Sequence, residues 1–379
     1  MSNSRLGRVV LGAGFALLGS GLAVAHPGHL HETMKNTPEK PVLLAQATDG
    51  SVTAPKGVTG EGELTFKILH TSSSLPEPAM KGLNAAHGGF AVDRRPGKGE
   101  IYFALPEVGI IRISNDLETI EVLPTDADMA AANMHNTTIW FTKKDKAFLT
   151  FPGNGTAKVY TTDLDGSLRN VLDAPTAETK FDDEVVTKYF AEGGAFVPTD
   201  VEVLDKRFYI TTGYSPLDYV LTADVKLKDG GSATWTPFAF GGKGDGPGQF
   251  GTGHGITIAP DGKTITVADR PNSEIESFDK DGNFLGKLDL PKGCLPCDID
   301  YQSDYTIVGC LKGPDENKGA PIYLVKDGNV VSTIMIKEDL GLEKFTHIHN
   351  AVMVERDGKF YIIAQAWNPG DFAILEQVK

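Results

Sequence analysis

The sequence predicts an all-β chain folded as a six-bladed β-propeller, and three observations carry that expectation. First, residues 242–285 read as three short strands, about His254–Ala259, Thr264–Ala268 and Glu274–Asp279. Pro260-Asp261-Gly262 supplies the first turn, Asp269 to Asn272 the second, and Asp281-Gly282-Asn283 closes the third strand. A meander this short cannot bury its own face and needs neighbours of the same kind. Second, five other stretches share the make-up of strand, polar turn and second β-rich strand. They open near His87, His135, Thr199, Cys297 and His349, and with His254 the openings lie 48, 64, 55, 43 and 52 residues apart. About 40–50 residues per unit is the spacing of propeller blades, with insertions going to loops. Third, the chain has no coiled-coil heptads and few helical segments.

In chain order, residues 1–25 read as a secretory signal. Arg5 and Arg8 form its charged start, Val9 to Leu22 its apolar stretch, and Ala23-Val24-Ala25 fits small-x-small cleavage. Residues 26–60 are polar and Pro-containing, the composition of a flexible tail. That tail holds His26, His29 and His31, which could scavenge metal, although a solvated tail with adventitious binding is the favoured reading. Residues 61–379 form the propeller. Export to the periplasm or beyond is therefore expected, in a disulfide-permitting compartment. The net charge of −14 argues against a nucleic-acid partner and against anionic membranes. A small-molecule or peptide substrate, no membrane insertion after cleavage, and a monomer are the expectations for partners.

Leu64–Leu69 is a strand with no partner nearby. Propellers often close by pairing an N-terminal strand with the last blade, which removes exposed edges. We assign it as the fourth strand of the last blade, whose other strands fall at about 349–355, 359–366 and 371–378. Asp126–Ala132 and Asp182–Ala191 read as helical insertions at the channel mouth. The Gly-rich stretch 241–253 lacks the Lys-Ser/Thr pair of a phosphate loop, and Asp279–Asn283 lacks the terminal glutamate of a calcium loop. Three cysteines occur, Cys294, Cys297 and Cys310. A hairpin over 297–311 sets Cys310 nearly opposite Cys297 and close to Cys294, so Cys310 is expected to bond one of them and leave the other free.

The innermost strand of each blade lines a propeller's channel, so the leading residues of different blades face one another across the axis. Four of the six are histidine: His87, His135, His254 and His349. His135, His254 and His349 belong to blades 2, 4 and 6, about 120° apart, and can converge on one point of the axis. Three imidazoles with a fourth position open is the pattern of catalytic zinc. A lone channel histidine more often hydrogen-bonds a neighbouring blade's carbonyl; the ordered set favours a divalent ion, zinc first, with copper or iron as alternatives. His87 is either a fourth ligand or a partner of the ligands, and His347 lies on the same side of its strand as His349. Asp200, Asp298 and Asn350 each follow a leading residue. They bridge strands or bind a structural cation such as calcium, with bridging favoured for Asp298.

The stretch Gly246-Pro-Gly-Gln-Phe-Gly-Thr-Gly-His254-Gly-Ile-Thr-Ile258, followed by Val267-Ala-Asp-Arg-Pro-Asn-Ser-Glu-Ile-Glu-Ser-Phe278, resembles an NHL repeat. More narrowly, it resembles the catalytic propeller of peptidyl-α-hydroxyglycine α-amidating lyases. Three further anchors follow in the same order as in that family: Met134-His135, Pro198-Thr-Asp-Val201 with Thr212-Gly-Tyr214, and Ile348-His349-Asn350. The resemblance covers roughly residues 80–379. It implies Tyr214 as general base and Arg270 as the holder of a substrate carboxylate. By the same resemblance the reaction is metal-dependent cleavage of a carbinolamide C–N bond, giving an amide and glyoxylate. The chain departs from the family twice: His87 is extra, and an arginine of the first blade has no equivalent in Tyr102-Phe-Ala-Leu-Pro106. Two other readings stay open, a periplasmic metal-binding carrier or sensor without turnover, and an NHL-type interaction scaffold without metal.

Overall fold

The structure, a computed structural model, describes residues 56–226 and 231–378. The expected leader at 1–25 and the tail histidines His26, His29 and His31 lie outside the described residues. Six antiparallel sheets follow one another along the chain. Blade 1 comprises Ala91–Val92, Ile101–Leu105, Gly109–Ile113 and Ile120–Val122. Blade 2 comprises Thr138–Phe141, Ala147–Gly153, Lys158–Thr162 and Leu168–Asp173. Blade 3 comprises Asp200–Leu204, Arg207–Thr211, Tyr219–Lys226 and Ser232–Gly241. Blade 4 comprises Gly253–Ile258, Ile265–Asp269, Glu274–Phe278 and Phe284–Asp289. Blade 5 comprises Pro296–Gln302, Tyr305–Cys310, Ile322–Lys326 and Asn329–Ile334. Blade 6 comprises Ile348–Arg356, Lys359–Ala366 and Asp371–Gln377. Each innermost strand touches the next, and that of blade 6 touches that of blade 1, so the ring is closed.

The closure is the expected one. Leu64–Thr71 pairs antiparallel with Asp371–Gln377, Phe66 opposite Gln377 and Ile68 opposite Leu375. A fifth strand, Thr59–Glu61, pairs with it in turn. Residues 56–60 are therefore held against blade 5: the Thr59 hydroxyl donates to Asp339 and accepts from the Met335 N–H. The propeller's first strand thus begins just upstream of residue 61.

Packing lies between blades. Six apolar clusters fill the six interfaces, such as Phe90, Phe103, Val354 and Phe372 between blades 6 and 1. Second strands are covered on both faces, which is why Ile101–Leu105 is apolar throughout and wholly buried instead of alternating. The two expected helices are present as Ala127–Ala130 and Glu184–Ala191, started by Asp126 and Asp183, whose carboxylates accept from first-turn N–H groups. Two short helices, Glu77–Gly82 and Ile336–Leu340, were not anticipated. Cys294 and Cys310 form the disulfide, and Cys297 is free and buried. Among the described residues no helix is long and apolar enough to cross a membrane.

Candidate metal centre

The ring order of the blades determines what meets at the axis. His135, His254 and His349 are fully buried and mutually adjacent, with ring centres 4.7 Å (135–254), 4.7 Å (135–349) and 5.2 Å (254–349) apart. Each uses Nδ1 in the same way, against the opening residues of the next blade. His135 Nδ1 lies 2.6 Å from the Thr199 carbonyl, His254 Nδ1 2.5 Å from the Cys297 carbonyl, and His349 Nδ1 3.0 Å from the Gly88 carbonyl. A carbonyl only accepts, so each Nδ1 carries a proton, and in the neutral ring the lone pair is then on Nε2. Backbone carbonyls fix metal-binding histidines in this manner. Gly255 permits one of these contacts: a Cβ there would lie 2.6 Å from the Cys297 carbonyl oxygen.

Burial, with the Arg270 charge adding to it, holds His349 down to about 3. Burial, then Arg270 and the other two imidazoles, hold His254 well below its ordinary value. Both are neutral at pH 7, the form that ligates. His349 Nε2 has no hydrogen-bond partner among the described residues, a cost that a ligated ion would remove. Three imidazoles sharing a zinc at about 2.0–2.1 Å from each nitrogen have ring centres roughly 5 Å apart. The donor set therefore fits a divalent ion.

His87 joins them. Its ring centre is 4.4 Å from that of His135 and 4.6 Å from that of His349, and the ligand nitrogens of His87, His135 and His349 all lie within 4.8 Å of one another. His254 stands outside that tight triangle, because its Nε2 meets the Tyr214 hydroxyl at 3.0 Å. His87 is held differently from the other three. Its Nδ1 lies 2.9 Å from the Asn133 amide, and its ring stacks on Trp367 at 5.2 Å. His347 stays apart, with Nδ1 3.3 Å from the Trp367 and Asn368 carbonyls.

Tyr214 and Arg270 also arrive at the axis. Arg270 Nη1 donates to the Tyr214 oxygen at 2.9 Å, and the Tyr214 hydroxyl then donates to His254 Nε2, which has only a lone pair to offer. Arg270 Nη2 donates to Cys297 Sγ at 3.0 Å. The guanidinium is buried and forms no ion pair among the described residues, and its Nε lacks a partner. Burial works against its charge, yet Cys297 and Tyr214 outweigh that and its pKa is raised. Burial also raises Tyr214 and Cys297, with Arg270 opposing in both. A buried cation without an anion is a prepared place for a carboxylate.

Cys297 and Asn133 are the residues that the sequence reading left without a role here. The signal for Cys297 lay in the ring order: the residues opening odd blades must supply the groups that the histidines of even blades touch. No local signal marks Asn133.

One layer further along the channel, Asp200 accepts from Val201 N at 2.7 Å and from Ile256 N of blade 4 at 2.9 Å. Asp298 accepts from Ile299 N at 2.8 Å and from the Asn350 amide of blade 6. Asn350 Oδ1 accepts from Phe90 N of blade 1 at 3.1 Å. All three side chains bridge adjacent blades.

No protein-family model matches the chain, and no curated protein matches its sequence. Among solved structures it is similar to a gluconolactonase of Xanthomonas campestris at 14% identity and a TM-score of 0.50, covering 87% of this chain and 93% of that one. It is also similar to a streptogramin B lyase at 12% identity and a TM-score of 0.47, covering 78% and 94% respectively. The virginiamycin B lyase of Staphylococcus aureus follows at 12% identity and a TM-score of 0.44, covering 77% and 96%. At these identities the likeness is one of fold.

Proposed function

We propose that the protein is an exported metal-dependent propeller enzyme that cleaves the C–N bond of a carbinolamide-type substrate bearing a carboxylate. The observation that carries the reading is the threefold repeated lock of Nδ1 on a neighbouring blade's carbonyl. It assigns the ring proton to Nδ1 and so makes Nε2 of His135, His254 and His349 the ligating nitrogens for one ion at the axis. Bound there, the ion would supply a Lewis acid and lower the pKa of oxygen ligands.

The chain's own residues do the rest. Arg270, buried without a counter-ion, holds the substrate carboxylate. Tyr214 now donates its proton to His254 Nε2. With that lone pair taken up, Tyr214 keeps Arg270 as its donor, which favours the phenolate and opposes the upward push of burial. As phenolate, Tyr214 Oη takes the proton of the substrate hydroxyl, the C–O bond becomes a carbonyl, the C–N electron pair goes to nitrogen, and Tyr214 returns the same proton to that nitrogen. The products are an amide and glyoxylate. Full burial of the imidazoles excludes bulk water from these transfers.

Glyoxylate release from a peptide ending in α-hydroxyglycine tests the reading. Zinc-loaded protein lacking residues 26–55 should turn over. Tyr214→Phe should keep the metal and lose turnover. Full metal loading with no glyoxylate sinks the lyase reading. The closeness of His87 favours one other reading, a carrier without turnover. X-ray absorption separates the two: four imidazoles on the ion support storage, and three with an oxygen support catalysis.

A further inference from the structure

The inner strands start at the histidines and run to the opposite face of the ring. There, between blades 1, 5 and 6, lies a cleft of about 370 Å³ lined by Arg94, Arg95, Lys98, Gln302, Glu355 and Arg356, among others. Small-ligand sites run upward from about 300 Å³. Four cationic side chains in one cleft stand out on a chain of net charge −14.

Their local partners account for two of the four. Arg94 pairs with both oxygens of Asp300, at 2.6 and 2.8 Å. Arg95 makes a two-pronged pair with Asp93, at 2.9 and 2.6 Å. Arg356 and Lys98 form no ion pair among the described residues. Arg356 spends Nε, Nη1 and Nη2 on the carbonyls of Asn115, Glu355 and Gly99, each at 2.8 Å. A guanidinium has five N–H donors, so two remain. Burial and then the like charge of Arg94 lower the Arg356 pKa, with Glu100 opposing. The exposed Glu355 carboxylate is engaged by the Ser303 hydroxyl at 3.3 Å. A partly buried guanidinium that faces a cavity and is repelled by a neighbouring one is relieved by an anion, and its geometry suits planar or tetrahedral oxyanions.

We propose that this cleft is a binding site for a small multivalent oxyanion, phosphate-bearing or polycarboxylate, held by Arg356, Lys98 and the exposed edge of Arg94. It lies at the far end of the channel from the histidines and stands independently of the lyase reading. Calorimetric titration of the intact protein with inorganic phosphate, and separately with citrate, tests it, with chloride at matched ionic strength as the blank. Saturable one-site binding of either anion is expected, and which anion binds more tightly identifies the source. Arg356→Ala should weaken binding at least about tenfold. Because Arg356 also ties blade 1 to blade 6, Lys98→Glu on its exposed turn provides the second variant, with a loss of about tenfold as well. Arg270→Ala should leave binding unchanged. No saturable binding of either anion, equal affinity in wild type and Lys98→Glu, or loss with Arg270→Ala would each overturn the assignment.

Discussion

The two ends of the channel are built on the same six strands and solve opposite electrostatic problems. At the histidine end, imidazoles and one guanidinium crowd together, with no carboxylate bonded to them among the described residues. A few residues further along, Asp200, Glu202, Asp298 and Asp300 crowd together, and their oxygens take N–H groups of their own strand and, at Asp200 and Asp300, of the next blade. At one end the backbone offers carbonyls and at the other N–H groups, because successive positions of a strand present them alternately. At the first end His349 Nε2 is left without a donor among the described residues, the signature of a ligand site. The second has its acceptors largely used, the signature of a joint between blades.

The largest effect that could break this contrast is on metal. Replacing His135, His254 or His349 by Ala should lower zinc affinity by at least about 100-fold, more than loss of an outer partner typically costs. Asp298→Asn should leave the affinity as it is. Elemental analysis after dialysis, on protein without the tail, reads both. Metal loss with Asp298→Asn and none with the histidine variants would reverse the roles of the two ends.

The disulfide gives the second test. Cys294–Cys310 pins the strand carrying Cys297, whose carbonyl fixes His254. Opening a bridge across a separation of 16 residues should cost about 3 kcal/mol by loop entropy. Urea unfolding of a Cys294→Ala/Cys310→Ala variant measures it. The same variant should bind zinc more weakly, whereas a loss confined to stability would mean that His254 is fixed by its other neighbours.

The third concerns the joint. Asp298→Ala leaves the Asn350 amide and Ile299 N–H short of an acceptor in a buried layer, a cost of about 1–3 kcal/mol. Asp298→Asn should cost less. Added calcium should leave the melting temperature of wild type unchanged. A rise would show that a cation, and not bridging alone, holds this layer.

The strands of blade 4, the closing role of Leu64–Leu69 and the convergence of the four histidines were legible because each rests on periodicity or ring order. The disulfide choice was not: Cys294 and Cys297 lie within three residues, and only a bulge in the hairpin, where Pro296 faces Cys310 and Asp298 faces Gly309, turns Cys297 toward Arg270. Nor was the tight nitrogen triangle of His87, His135 and His349, because His87 is placed by Asn133 and Trp367, side chains of other blades. Such contacts depend on side-chain reach across blades, which no spacing encodes.

The last test is the most diagnostic, since the two ends should respond to pH with opposite sign. In the metal-free protein His349 is held at about 3 against an ordinary 6.5, so the native state binds fewer protons than the unfolded one between those values. Its contribution is present above about 6.5 and is lost as pH falls toward 3. Glu202 is pushed up by burial to about 8 from an ordinary 4.5, so the native state binds more protons in that window. Its contribution is present below about 4.5 and is lost as pH rises toward 8. Urea unfolding between pH 4 and 8 should therefore show His349→Gln gaining on wild type as pH falls below about 6.5. Glu202→Gln should gain on wild type as pH rises above about 4.5. Zinc should abolish the first dependence by occupying the imidazole and leave the second untouched. If Glu202→Gln instead tracks wild type across the range, Glu202 is ionised in the folded protein, and a cation must lie beside it in the layer that joins the blades.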